Sequence, residues 1–314
     1  MSIAPPIHHF HSASRNIHRN LATERFLFNY LFESRIPQPT LLFTYINRPS
    51  VVLGRFQNIW HEINPEYIKS KSVDIARRDS GGGCVYHDEG NLNFTFFCRS
   101  ENMDISKNMA FLLKVLNNNF LKCKVRFIDN RGIFTCSRND KTKKLGGFAS
   151  RRGTSICYTH YTFLVNSDMV MLSDCMNSSR VSHLNPIENR ATLSVKSSTV
   201  NFSELSEDNS LTCEKIQQLA IDNNDCIHAH FFDDIVKERE SEIEEIEKEI
   251  SDDKWLYNES PSVTYVMTND KGKVIFKENR YLIKTAEKVD AIGDLPSEGI
   301  LDSSKVEQIL KLVQ

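Results

Sequence analysis

The chain has 314 residues, 25% of them charged and 40% hydrophobic, with a formal net charge of −2. That near-balance gives no basis for nucleic-acid binding, and no apolar run reaches the ~20 residues a bilayer-crossing helix requires. Eight cysteines without C-x-x-C spacing exclude zinc-ribbon and thioredoxin-type sites and fit reduced thiols in a cytosolic or matrix compartment.

The length accommodates one large domain and a small one. Before Glu24 there are Arg15, Arg19 and several His and Ser but no acid, a pattern shared by a short mitochondrial leader and a plain N-terminal tail. Residues 16–34 read as an amphipathic helix, with Leu21, Leu27, Tyr30 and Leu31 on one face. Strands are expected at 41–46 and 50–54, separated by the turn Asn47-Arg48-Pro49, and again at 73–78 and 92–97. A helix over 104–120 starts at Asp104, a suitable N-cap. Strands at 124–128, 133–137 and 158–166 continue the sheet, and a helix over 211–224 is opened by Ser210 or Thr212. The acidic stretch 238–253 carries Ile243, Ile246 and Ile250 at helical spacing. It reads as a surface helix with one buried isoleucine stripe whose charges face water, or as a linker that lets a C-terminal part move. Short strands at 263–268 and 273–277, joined across Asn269-Asp270-Lys271-Gly272, and a helix over 303–313 complete the chain.

The densest stretch is 77–97, RRDSGGGCVYHDEGNLNFTFF. Three glycines in a row let the backbone turn sharply and bring its N–H groups against a ligand. Arg77 or Arg78, with Ser80 and His87, can supply charge and hydrogen bonds to an anionic group held there. A second glycine-bearing stretch, 144–149, reads KLGGFA. On the residues alone, Lys143 and Lys144 are two surface lysines beside a hairpin turn. Likewise, His160 in the alternating strand YTHYTFL (158–164) reads as a structural histidine.

The first stretch resembles the signature RRxSGGGxVxHDxGNxNFT of the lipoate–protein ligase A and lipoyltransferase family. Arg77, Arg78, Ser80, Gly81, Gly82, Gly83, Val85, His87, Asp88, Gly90, Asn91, Asn93, Phe94 and Thr95 stand at its positions. The second resembles the family's K-(I/V)-(S/G)-G-x-A, in which Lys144, Gly147 and Ala149 match, while Gly146 and Phe148 stand where Ser is commoner. The third resembles HHGTLL, with His160 and Thr162 corresponding and Tyr161 in place of glycine. WLYNESP (255–261) resembles the family's junction with an accessory domain, with Asn258 where glycine is usual, and Asn130 is followed by Arg131 where an acid is common. The run 191–202 resembles the family's segment after the sheet and carries no obvious chemistry.

The resemblance implies an α+β fold: a mixed and antiparallel sheet flanked by helices, the biotin/lipoate ligase-like catalytic domain, with a small C-terminal α+β accessory domain. The division would be 1–13 leader or tail, 14–228 catalytic domain, 229–257 acidic helical linker and 258–314 accessory domain. It makes Lys144 the catalytic residue. Arg77, Arg78, Ser80, Gly81, Gly82, Gly83, Val85, His87, Asn91, Asn93, Gly147, Ala149 and His160 become substrate-binding, with Phe94 and Phe96 lining an acyl tunnel. The implied reaction moves a lipoyl or octanoyl group from lipoyl-AMP or a lipoylated protein to the lysine of a lipoyl domain. Acceptors would be acyltransferase subunits of 2-oxoacid dehydrogenases and the glycine-cleavage H protein. Alternatives are a complete ligase using lipoate plus ATP (with Mg2+ for the adenylation), an acyl-cysteine route through Cys84, and a catalytically idle lipoyl-domain binding protein. No bound metal or prosthetic group, nucleic acid or membrane is implied. The expected protein is a monomer in the mitochondrion, or otherwise in the cytoplasm.

Overall fold

The computed structural model describes residues 7–33, 40–117, 125–128, 132–135, 143–176, 186–206, 210–222, 226–228, 230–259, 261, 263–269, 272–277, 280–284 and 298–300. In chain order, β1 (Ile7–His11) leads into α1 (Ile17–Glu33), β2 (Thr40–Ile46) and β3 (Ser50–Leu53). Two short helices, α2 (Ile59–Glu62) and α3 (Pro65–Ser70), precede β4 (Asp74–Arg77), β5 (Val85–His87) and β6 (Asn91–Arg99). Then come α4 (Ile105–Asn117), β7 (Val125–Ile128), β8 (Gly132–Thr135), β9 (Lys144–Gly146), β10 (Phe148–Arg152) and β11 (Ile156–Leu164). After α5 (Met169–Cys175) and β12 (Pro186–Asn189) follow α6 (Cys213–Ile221), β13 (Cys226–His228), α7 (His230–Glu238) and α8 (Glu240–Ser251). The chain ends in β14 (Val263–Asn269), β15 (Gly272–Lys277), β16 (Arg280–Lys284) and β17 (Glu298–Ile300).

The main sheet has the order β10-β11-β6-β2-β1-β13. Its β10–β11, β11–β6 and β6–β2 pairs are antiparallel, whereas β1 runs parallel to both β2 and β13. The sheet is therefore mixed and helix-flanked, the α+β architecture expected. Residues 7–11, set apart as leader or tail in the sequence reading, are a strand of this sheet. Smaller sheets are β4-β3-β5, β7-β8-β9 and β12-β14-β15-β16-β17. The helix expected over 303–313 lies outside the described residues. Among the described residues no helix is long and apolar enough to cross a membrane.

Side chains alternate across a strand, and β6 uses the alternation to serve two cores. Phe94 and Phe96 join Leu112 and Val115 of α4 and Ile216 of α6 on one face. Phe97 joins Phe26, Leu27 and Leu31 of α1 on the other. Helix starts follow capping chemistry: Asn16 Oδ1 accepts from His18 N at the head of α1, Asp104 Oδ1 from Lys107 N before α4, and Thr212 Oγ1 from Lys215 N before α6.

The acidic helix α8 is packed against α1. Ile243 and Ile250 are buried with the α1 cluster, and its acids meet the basic residues of α1: Arg19 with Glu240 and Glu247, Arg25 with Glu249. Such exposed ion pairs contribute up to about 1 kcal/mol each, so the isoleucine stripe is the stronger anchor.

Candidate active site

The chain between β4 and β5 is the glycine run, and both flanking strands pair with β3. The loop winds around a buried guanidinium. Arg78 Nε donates to Ser80 Oγ (2.9 Å), Nη1 to Val52 O (3.0 Å), and Nη2 to Gly81 O (2.6 Å) and Gly83 O (2.8 Å). Gly82 takes φ +87°, a conformation that side chains with a Cβ rarely adopt. Gly54 lets the end of β3 approach, since a Cβ there would sit 2.1 Å from Gly82 O.

The adjacent arginine faces the other way. Arg77 is 1% exposed and its fork is consumed by main-chain carbonyls. Nε and Nη2 donate to Leu256 O (3.1 and 2.7 Å), and Nη1 to Gly54 O, Arg55 O and Gln57 O (3.1, 3.2 and 2.8 Å). Burial pushes its pKa down to about 10, which leaves it charged at neutral pH. Arg77 thus ties the β3–α2 turn to the segment after α8. There Trp255 Nε1 donates to Arg77 O, and the indole lies between the guanidinium groups of Arg25 and Arg55, 4.2 and 4.3 Å from its centroid.

A cavity of about 870 Å³ opens between the glycine loop and β9–β11. Of the residues read from the sequence, Arg78, Gly82, Gly83, Val85, His87, Asn93, Lys144, Gly147, Ala149 and His160 border it; Arg77, Ser80, Gly81 and Asn91 do not. Ser80 and Asn91 stand one layer behind: Ser80 Oγ bonds Arg78 and His160, and Asn91 Nδ2 donates to Asn93 Oδ1 (3.1 Å). Phe94 and Phe96 do not line it either; the β6 register turns them into the α4 core. Apolar wall comes instead from Leu21, Tyr45, Val52 and Val85, together with Phe148, Tyr161, Leu193 and Val195.

Lys144 is held from both sides: its N donates to Ser198 O (2.8 Å), its O accepts from Val200 N (3.0 Å), and β9 pairs with β8. Burial lowers the pKa of its ammonium, and among the described residues that ammonium has no carboxylate partner. A Cβ on Gly147 would lie 3.4 Å from Lys144 Nζ, and one on Gly82 would lie 3.4 Å from Ala149 Cβ. The two glycine stretches therefore meet across the cavity.

His160 sits in a buried chain of polar groups. Its Nε2 is 2.8 Å from Ser80 Oγ and its Nδ1 3.2 Å from Glu24 Oε2. Burial would raise the Glu24 carboxyl, but the charge and hydrogen bond of His160 and hydrogen bonds with Thr95 and Tyr158 outweigh it and hold the group below its ordinary value. The order Ser-His-Glu matches that of a hydrolase triad. Ser80, however, is 1% exposed, receives Arg78 Nε and does not border the cavity, so its hydroxyl braces the loop. Cys84 does border the cavity. Burial, reinforced by the Glu62 charge, pushes its thiol far up, and a protonated thiol is a poor nucleophile.

Two departures from the family pattern account for each other. Phe148 and Tyr161 are paired across β10–β11 with ring centroids 5.9 Å apart. Gly146 in place of Ser is required by space, because a Cβ would sit 1.9 Å from Thr162 O. Arg131 lies outside the described residues.

Residues 192–197, read as carrying no obvious chemistry, close one side of the cavity. Ser194 Oγ accepts from Cys84 N (2.8 Å) and Gln57 Nε2 (3.0 Å), and Ser194 N donates to Glu62 Oε1 (3.2 Å). No residue type in this run signals that role; only the proximity of Gly83, whose Cβ would meet Ser194 Oγ at 3.0 Å, reveals it. Among the described residues no cluster of three or more His, Cys, Asp or Glu is placed to hold a metal.

Residues 16–223, more than half of the chain, match the family described as Lipoyl protein ligase A/B catalytic domain. The chain is 29% identical over 282 residues to the human (Homo sapiens) mitochondrial lipoyl amidotransferase LIPT1, covering 87% of this chain and 70% of that protein. It is 34% identical over 217 residues to lipoate–protein ligase 1 of Plasmodium falciparum, covering 65% and 49%. Among solved structures, P. falciparum LipL1 in complex with lipoate superposes with a TM-score of 0.63 at 25% identity, over 87% of this chain and 85% of that one. Lipoate–protein ligase A bound with ATP shares the fold, with a TM-score of 0.54 at 19% identity over 81% and 96%. The chain therefore belongs to the lipoyl protein ligase A/B catalytic family, whose lipoyltransferase and lipoate–protein ligase members are enzymes.

Proposed function

We propose that the cavity is an acyl-transfer site that passes a lipoyl or octanoyl group from an activated donor to the acceptor lysine of a lipoyl domain. One observation carries this reading: the Lys144 ammonium borders the cavity, is partly desolvated and has no offsetting carboxylate among the described residues. An uncompensated charge in such a site stabilises developing negative charge far better than the same charge in water. When the acceptor amine attacks, the acyl carbonyl becomes an oxyanion, and its collapse expels AMP from an acyl-adenylate, the negative charge building on the departing phosphate oxygen. Lys144, with three donors on a compact cation, serves both. The apolar wall of Leu21, Tyr45, Val52 and Val85 suits an acyl chain of about eight carbons, each buried methylene contributing ~0.8 kcal/mol. Desolvation that lowers the Lys144 pKa acts equally on an incoming lysine and favours its neutral, nucleophilic form.

The Lys144→Ala variant tests this with lipoyl-AMP and a purified lipoyl domain. The rate falls on the order of 10²–10³-fold, the cost of losing one such donor; a wild-type rate refutes the assignment. The preferred donor is preactivated, lipoyl-AMP or a lipoylated protein, on the strength of the similarity to a lipoyl amidotransferase. A second reading, complete activation of lipoate by ATP with Mg2+, draws on the likeness to lipoate–protein ligases; ATP-dependent pyrophosphate release on adding lipoate would establish it. The acceptors proposed are the 2-oxoacid dehydrogenase acyltransferase subunits and the glycine-cleavage H protein. A mitochondrial location is proposed from the mitochondrial human and mouse relatives. The proposed division is a catalytic unit over 14–228, an acidic helical connection over 229–257 and an accessory part over 258–314.

A further inference from the structure

His87 ends β5, borders the cavity and is 3% exposed. Burial, with the charges of Arg78 and His160 nearby, pushes its pKa down to about 3. A neutral imidazole has one N–H donor and one acceptor nitrogen, and the neighbours decide which is which.

Those neighbours form a chain of hydrogen bonds anchored on a main-chain carbonyl. Ser14 O only accepts, so the Asn20 atom 2.9 Å from it is the amide nitrogen Nδ2. The Asn20 oxygen is occupied separately, receiving Ser12 Oγ at 2.6 Å. Asn20 Nδ2 spends its second proton on Asn47, 2.7 Å away, which makes that atom Oδ1. The Asn47 atom 2.9 Å from His87 Nδ1 is then its amide nitrogen, which only donates. Amide orientation, ordinarily an assignment, is fixed here because either flip would set donor against donor or acceptor against acceptor. His87 Nδ1 is thus the acceptor and the ring proton sits on Nε2. That Nε2 is shut off from solvent and has no hydrogen-bond partner among the described residues. Asn20 and Asn47 are both fully buried. A buried donor with no acceptor is costly and rare in native structures.

We propose that Asn20 and Asn47 are positioning residues: they hold His87 as an Nε2–H donor for an acceptor atom of the molecule bound in the cavity. The identity of that molecule rests on the acyl-transfer reading; the tautomer does not. In an acylated ligand the acceptor is either an oxygen of the carboxyl end or a sulfur of the dithiolane.

The test is long-range ¹H–¹⁵N correlation on the ¹⁵N-labelled full-length protein at pH 8, free and with lipoate or octanoate. The wild type should show an unprotonated Nδ1 and a protonated Nε2, and lipoate should shift the Nε2–H signal. An equal shift with octanoate assigns the acceptor to the carboxyl end, whereas a shift with lipoate alone assigns it to sulfur. Asn47→Asp keeps the shape and the bond from Asn20 but can no longer donate to Nδ1. The ring proton should then move to Nδ1, and lipoate binding should weaken about tenfold, the equivalent of ~1.4 kcal/mol. At lower pH the new carboxylate should promote an imidazolium, restoring Nε2–H and part of the affinity, against the charges of Arg78 and His160. A protonated Nδ1 in the wild type overturns the relay. An Nε2–H signal indifferent to both acyl ligands overturns the donor role, as does a reversed tautomer in the variant with unchanged affinity. These results stand apart from failure of the acyl-transfer reading, which shows as absence of lipoyl transfer by the wild type. The wild-type tautomer and its ligand response decide the proposal even where the variant fails to fold.

Discussion

Replacing Gly54 by alanine should damage the site more than any alanine within the glycine run. Gly54 lies outside that run, at the end of β3, with its N–H on Gln57 Oε1 and its carbonyl receiving Arg77. An added Cβ would sit 2.1 Å from Gly82 O, where real contacts essentially never fall below 3.0 Å. The obstacle is main chain, so the glycine loop or the end of β3 must move by roughly 1 Å, and a misplacement of that size costs about 10²-fold in rate. Overpacking adds ~1–3 kcal/mol of lost stability. Gly82→Ala meets Arg78 Nη2 at 3.2 Å and keeps a φ of +87°, a strain of about 1–2 kcal/mol. Gly81→Ala meets only the Phe56 ring at 3.7 Å, an ordinary contact. Steady-state lipoylation of a purified lipoyl domain, with thermal melts on the same samples, should rank the variants Gly54 worst, Gly82 intermediate and Gly81 near wild type. Near-wild-type kcat/KM for Gly54→Ala, or a Gly81→Ala defect as large, would refute the argument from close approach.

Arg77→Lys should lower the melting temperature by several degrees while leaving the KM for the acyl donor close to wild type, because a point charge cannot replace five hydrogen bonds to four carbonyls. An unchanged melting temperature with a tenfold higher KM would place Arg77 on the ligand instead. Cys84→Ala should retain transfer at close to the wild-type rate, and mass spectrometry of the wild type under turnover should find no acyl adduct on Cys84; a stable thioester there would restore the acyl-cysteine route. His87 sets an acid limit on stability. Its folded pKa, about 3, lies below the ordinary 6.5, so the unfolded chain takes up the proton first. The stabilisation is complete above pH 6.5 and is lost as pH falls toward 3, at up to about 1.4 kcal/mol per pH unit. His87→Gln should flatten that slope in denaturant titrations run at successive pH values; an unchanged slope would show that other groups carry the acid sensitivity.

The sequence was most legible where local chemistry decides the outcome. Asp104 and Thr212 cap the helices that follow them, and the strands expected at 73–78 and 92–97 form as β4 and β6. It was least legible where partners come from far along the chain. Residues 7–11 offer only five positions, and they become a strand because β2 and β13 flank them. In the acidic stretch 238–253 the isoleucine spacing already marks the stripe that Ile243 and Ile250 bury in the α1 core, but its glutamates read as solvated until Arg19 and Arg25 of α1 are brought opposite them.

Within the site the same division separates neighbouring residues. A motif names Arg77 and Arg78 alike, yet strand alternation sends consecutive side chains to opposite sides. One guanidinium anchors the Trp255 segment and the other shapes the wall of the cavity. Composition cannot divide those roles, since both arginines are buried and both bind carbonyl oxygens. What divides them is which carbonyls they bind: those of Leu256 and the β3–α2 turn for Arg77, those of the glycine loop itself for Arg78. The distinction carries a functional consequence. The loop that meets Lys144 across the cavity is braced by Arg78, Ser80, His160 and Glu24 from one side and by Ser194, Gln57 and Glu62 from the other. Arg78, His160 and Ser194 border the cavity, but loss of any of the seven would displace the loop whether or not its own side chain meets the ligand. Substitutions at Ser194 or Glu62, which no motif marks, should therefore act on transfer through the loop, in the same way as Gly54→Ala and by the same displacement.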